Sequence, residues 1–296
     1  KFDFIHNVYI NNADIQLLTA STKNMARHKM IKGICKLCSQ NTDLSFEHVP
    51  PKVTNNKNTK YVSIPLEEYY KIDNLLETNP KGKIKQGGIG YNSFCRNCNS
   101  FLGTNYVPAY EKWVRAGYQL LSNSEISYIR YQITEIEPLK ILKHIISMFL
   151  AINDNWYLES YPELAEFVSN TTSNVLPEKF RVFTYLNKDG NIRYMKHQTV
   201  GDFSNGYIIN CSEITFPPYG FILTLDYSNQ NIKNLTDITG FKTLGNNNKL
   251  LMNFDMYQLP THINIPMDYR TKKEIAIAIE KGSKIKNEMN GNKTSS

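Results

Sequence analysis

No stretch of this chain approaches the ~20 apolar residues that a membrane-spanning helix needs. The longest run, Ile141 to Ile152, is broken by Lys143 and His144, so it reads as a core helix and no membrane partner is expected. The N-terminus shows no basic start leading into an apolar segment, the pattern an export signal would have. Cysteine is scarce: there are five, and because four of them form two close pairs, no disulfide framework is available. The fifth, Cys211, ends Ile208-Ile209-Asn210-Cys211 and reads as a buried position in a strand. A reducing, cytoplasmic compartment is the expectation. No internal repeat is present.

What the sequence does contain is enough for a globular protein. Its 296 residues allow two modest domains, and 41% hydrophobic content supports a core for each. The formal charge of +7 and pI near 8.9 favour a polyanionic partner. The basic residues also cluster. Lys23, Arg27, His28, Lys29, Lys32 and Lys36 crowd the first cysteine pair, and Lys81, Lys83 and Lys85 precede the second.

The most specific pattern is Cys35-x-x-Cys38 followed, far along the chain, by Cys95-x-x-Cys98. Each knuckle aims two sulfurs at one ion, and four thiolates make a closed tetrahedral zinc site that holds structure and leaves no coordination position for chemistry. Between the pairs lies Glu47-His48-Val49-Pro50-Pro51, and Asn99 follows the last cysteine directly. A staple needs none of these. Carboxylate, imidazole and amide groups brought together can hold a second, oxygen-seeking cation and activate a water.

The order C-x-x-C, Glu-His-Val-Pro-Pro-Lys, Gly-Gly-Ile-Gly, Phe-Cys-Arg-Asn-Cys-Asn-Ser-Phe-Leu-Gly, from about Lys32 to Gly103, resembles the zinc-bearing branch of the HNH endonucleases. Segments such as Tyr106 to Tyr110 and Pro217 to Phe221 are similar to those of uncharacterised bacterial HNH proteins with a long C-terminal domain. The resemblance implies a treble-clef, ββα-metal fold. It implies His48 as general base, a task suited to an imidazole with an unperturbed pKa near neutrality. It implies Glu47 and Asn99 as ligands of a catalytic Mg²⁺ or Mn²⁺, reachable from one site only if the strand bends, since adjacent strand residues face opposite ways. The family's middle asparagine, which orients the imidazole, falls where this chain has Gly90, and Asn92 is the nearest residue able to serve. Lys52, Lys85 and Arg96 are candidate phosphate contacts.

The reading is thus an α+β protein. Residues 1–24 are expected to be an extension or linker, since Met25-Ala26-Arg27-His28-Lys29 resembles a natural start. A nuclease domain follows over 25–121, an accessory α+β domain over 122–280, and a frayed tail over 281–296. The pattern predicts strands over Asp43 to Val49 and Tyr91 to Phe94. Helices are predicted over Asn99 to Leu102, bending at Gly103, and over Ala109 to Leu121, from Pro138, and over Pro162 to Ser169. Arg181 to Leu186 and Ile192 to His197 read as a hairpin through Asp189-Gly190, with Tyr207 to Phe216 and Phe221 to Tyr227 as a second antiparallel pair. The function expected is a metal-dependent endonuclease acting on DNA, its C-terminal domain selecting a substrate or protein partner, with a bacterial anti-phage role by analogy. The alternative is a non-catalytic zinc-stapled module that binds nucleic acid or protein. A zinc deaminase is excluded, because its Glu follows a zinc-binding His whereas here Glu47 precedes His48 and four thiolates close the zinc.

Overall fold

The computed structural model describes residues 31–64, 68, 71, 82–122, 127–202, 207–228, 232–245 and 250–291. The expected extension over 1–24 lies outside them, as do Met25, Arg27, His28, Lys29, Tyr69, Tyr70 and Lys81. The first strands, β1 (Ile31–Ile34) and β2 (Asn41–His48), pair antiparallel around the Cys35–Cys38 turn. Pro50 cannot donate to a ladder, and β2 stops at His48. Two single turns of 3-10 helix, Lys52–Thr54 and Asn56–Asn58, lead to β3 (Tyr61–Ser63), which pairs with β4 (Lys83–Lys85). β5 (Gly90–Cys95) then returns beside β2, giving the sheet order β1-β2-β5.

The helix after the second knuckle is longer than expected. It runs as α1 over Arg96–Asn105, because the Cys95 sulfur accepts the Cys98 N–H at 3.4 Å and caps the helix three residues ahead of the expected start. Gly103 does not end it, and Asn99 is a helix residue rather than an N-cap. α2 (Val107–Ser122) buries Tyr110, Trp113 and Val114 as their spacing requires. β6 (Tyr128–Ile136) follows, then α3 (Pro138–Ile152), in which every residue but Lys140 is buried. Short helices α4 (Asn155–Ser160) and α5 (Pro162–Ser169) complete the helical layer. No helix among the described residues is long and apolar enough to cross a membrane.

The remaining strands are β7 (Arg181–Leu186), β8 (Arg193–Asp202), β9 (Tyr207–Phe216), β10 (Tyr219–Leu225), β11 (Thr236–Asp237) and β12 (Leu250–Tyr257). The five-stranded sheet has the order β11-β7-β10-β9-β8, and β12 pairs with β6. β9 and β10 pair antiparallel as expected, with Cys211 fully buried in β9. The hairpin expected from Asp189-Gly190 is corrected: β7 and β8 both form, but β7 pairs with β10 and β11, and β8 with β9. The turn is claimed instead by Thr261, whose N–H donates to Asp189 O at 3.0 Å and whose carbonyl accepts from Asn191 at 2.7 Å. Gly190, at φ +113°, lies so close to Thr261 that a Cβ would come within 2.5 Å of its nitrogen.

Inside that sheet Arg193 and Glu213 form a fully buried ion pair at 3.2 Å. Tyr185 Oη and the Met267 N–H also donate to Glu213, at 2.6 and 2.9 Å, so both carboxylate oxygens are satisfied, as burial demands. The tail is corrected too. α6 (Lys272–Gly291) continues through most of it, opened by a Thr271–Glu274 capping box with bonds of 2.7 and 3.3 Å. One cluster of buried apolar side chains runs from Cys35, Leu37 and Phe94 through α2 and α3 to Phe254 and Met256, continuous across residue 122.

At the centre of this core, His144 on α3 is fully buried against Tyr110, ring centroids 4.7 Å apart, with both ring nitrogens unpartnered. Burial lowers its pKa from 6.5 to about 3. A histidine held neutral leaves stability whole above pH 6.5, and stability falls as the unfolded chain gains the proton that the folded one refuses. The expected loss is about 3 kcal/mol by pH 4. Chemical denaturation from pH 7 to 4 should show this slope in the parent and a shallower one in His144→Phe; equal slopes would contradict it.

Candidate functional site

The unit formed by β1, β2, β5 and α1 is organised around sulfur. The Sγ atoms of Cys35, Cys38, Cys95 and Cys98 all lie within 4.8 Å of one another, close enough to share one ion. Backbone geometry prepares them: the Cys35 N–H donates to Gln40 O at 2.9 Å, Ser39 N–H to Cys35 O at 2.8 Å, and the Cys95 N–H points at Cys35 Sγ from 3.3 Å. Burial opposes ionisation of the Cys95 thiol, yet the Cys98 N–H and the neighbouring sulfurs outweigh it and hold its pKa below the ordinary value. Four sulfurs this close are a full ligand set, compatible with a structural zinc ion.

Lys36, inside the first knuckle, turns inward rather than towards solvent. Its ammonium donates to Ala151 O at 3.0 Å and to Asn153 O, at the carbonyl end of α3, where a cation complements the helix dipole. Ser93 Oγ donates to the same Ala151 carbonyl at 2.7 Å. The sulfur cluster is thereby tied to the central helix, and Lys36 leaves the group of exposed basic residues.

Around Glu47-His48 the placement is mixed. At a bulge between Ser45 and Phe46 the partner on β5 slips from Phe94 to Asn92, so Ser93 of β5 is the extra residue just ahead of the dipeptide. The alternation beyond it is intact. Phe46 and His48 meet edge to face, centroids 5.0 Å apart, so His48 shares the side of Phe46 and Glu47 leaves from the other. Asn99 reaches across from α1, its Nδ2 donating to Ser45 Oγ at 3.0 Å and to Phe46 O at 3.4 Å. That leaves Oδ1 as the ligating atom of its amide. Glu47 is 8% exposed, with Oε2 buried and unpartnered, and burial pushes its carboxyl up to about 8.

His48 Nε2 lies 3.2 Å from Gly87 O. A carbonyl only accepts, so in this contact Nε2 is the donor. Gly88 follows at φ +91°, where a Cβ would stand 2.1 Å from Asn56 O and 2.7 Å from the imidazole. Only glycine lets the loop approach the ring this closely. Asn92 sits opposite Phe46, but its Oδ1, the atom that would receive an imidazole N–H, is buried without a partner. Lys52, Lys85 and Arg96 are all exposed.

A residue not foreseen holds the loop. Asn56 is fully buried, donates to Pro50 O at 2.7 Å and Ile89 O at 2.8 Å, and accepts the Ile89 N–H at 2.8 Å. It joins the segments on either side of the His48 ring. Nothing in the Asn-rich run Asn55 to Asn58 singles it out locally, because its partners come from another part of the chain. Asn56→Ala should cost about 3 kcal/mol by leaving buried backbone groups unpaired. Thermal denaturation checks this, and a change under 1 kcal/mol would show that the clamp is dispensable.

Together these features define a mixed α+β protein with antiparallel sheets and a four-cysteine centre compatible with zinc. No protein-family model, curated protein or solved structure matches the chain.

Proposed function

We propose that this protein is a metal-dependent endonuclease of the HNH type, with a treble-clef, ββα-metal domain acting on the phosphodiester bonds of DNA. The observation that carries the reading is the packing of Asn99 from α1 against Ser45 and Phe46, the residues that precede Glu47 with its buried, unpartnered oxygen, within a unit gathered by four cysteines. His48 takes the proton of the attacking water, its ring held in place by the Nε2 contact with Gly87 O. The Glu47 carboxylate and the Asn99 amide oxygen form a hard donor pair suited to Mg²⁺ or Mn²⁺, and Glu47 loses its proton on binding it. The cation, when bound, neutralises charge on the phosphate and the leaving oxygen. Four reduced thiols suit the cytoplasm. The C-terminal α+β region selects the substrate or a protein partner, and a role as an effector in bacterial defence against phage fits this arrangement by analogy only.

A second reading, a zinc-stapled module that binds nucleic acid or protein without cutting, is favoured by one observation: Glu47 is buried on the side of β2 away from His48. Divalent dependence separates the two. Cleavage of plasmid DNA should require added Mg²⁺ or Mn²⁺ and vanish with EDTA under conditions that leave the zinc content unchanged. A protein that binds DNA but cuts none with either metal is the binding module.

A further inference from the structure

We infer that the β3–β4 ribbon is a duplex-binding arm that contacts the phosphate backbone and leads it to His48. The inference rests on the nuclease reading for the role of His48 and on the ribbon's own geometry for the contact. Tyr61 pairs with Lys85, Val62 with Ile84 and Ser63 with Lys83, so the two lysines stand on one face of the ribbon. Lys83, Ile84 and Lys85 are all exposed, Ile84 at 77%, a value unusual for an isoleucine in a strand.

The strands and their flanks are basic. Residues 52–64 and 82–90 contain Lys52, Lys57, Lys60, Lys83 and Lys85, all exposed, and no acidic residue, while the connection between β3 and β4 carries Glu67, Glu68, Asp73 and Glu77 against Lys71 and Lys81. The exposed lysines are thus concentrated on the strands and on the segments that lead to His48, the placement a polyanion would use.

The arm is also rooted at the site. Ile64 packs against Ile263 and Ile275, and the Gly88 N–H donates to Thr59 O at 3.1 Å. Gln86 alone separates Lys85 from Gly87, whose carbonyl meets His48. A backbone held by Lys83 and Lys85 is therefore delivered to the imidazole. A two-stranded ribbon is of the size that the major groove of B-form DNA admits, and A-form RNA offers no such opening. Single strands need aromatic faces free for stacking; the ring of Tyr61 is half-buried, with the Lys85 ammonium 6.0 Å from its centroid.

The test is binding of the full, zinc-loaded protein to a labelled duplex in Ca²⁺ across a range of salt, followed by cleavage in Mg²⁺. Lys83→Gln with Lys85→Gln should weaken duplex binding roughly 10- to 100-fold at low salt and lower the slope of log K against log salt by about 1.8. Zinc content and melting temperature should not change. Lys233→Gln with Lys281→Gln, which removes the same charge from exposed positions elsewhere, should do far less. Equal loss in both pairs, no loss in the ribbon pair, or tighter binding of single strands than of duplex overturns the arm. If the ribbon pair binds and cuts like the parent, the arm fails while the nuclease stands. If the parent binds through the ribbon but never cuts, the nuclease reading fails while the arm stands.

Discussion

His48→Ala is expected to remove most cleavage, a fall on the order of 10² to 10⁴ in rate, which is the usual contribution of a positioned proton acceptor. The ring touches Phe46, Gly87 and Gly88 at the end of β2 rather than filling the core, so melting temperature should shift little. Duplex affinity should also persist, since it comes from lysine contacts to phosphate. Cleavage, melting and binding measured on the same preparations decide the matter. A His48→Ala protein that cuts like its parent ends the general-base assignment.

Cys98→Ser should behave in the opposite way, losing structure and function together. A structural zinc contributes ~10 to 16 kcal/mol of binding free energy in small zinc domains, and where the site exists only in the folded chain that energy is folding energy. Here the loss would not stay local. Lys36 inside the knuckle and Ser93 on β5 both donate to Ala151 O at the end of α3, the helix with every residue but Lys140 buried. One zinc per chain is expected by elemental analysis in the parent, and less in Cys98→Ser together with a large drop in melting temperature. Full zinc occupancy and unchanged melting in that variant would contradict a four-cysteine site.

Local chemistry foresaw the elements whose causes lie within a few residues. Pro138 and Pro162 opened helices where expected, Pro50 closed β2, and the paired strands around Pro217-Pro218 follow from their own alternation. Misreadings arose where a distant segment intervened. The Asp189-Gly190 turn looks like a hairpin, but Thr261 takes its hydrogen bonds. The tail beyond Lys281 looks weak by composition, but a helix begun at the Thr271–Glu274 box carries through Gly282, aided by a Lys284–Glu280 pair at 2.8 Å. β6 and β12 were not foreseen at all, since each pairs with the other across more than half of the accessory region.

For the site, the sequence alone determined the four sulfurs, because zinc-ligand geometry is set by a two-residue spacing that any fold must respect. It also determined that Glu47, His48 and Asn99 lie near that cluster, being joined to it by short lengths of chain. Which way each side chain faces belonged to the tertiary structure. The period of two beyond the bulge at Ser45 and Phe46 put Glu47 and His48 on opposite sides, Asn56 closed the loop around the imidazole, and packing buried the Glu47 carboxyl. Spacing fixes which groups can meet, and packing fixes their orientation and solvation, because those depend on atoms contributed from elsewhere in the chain.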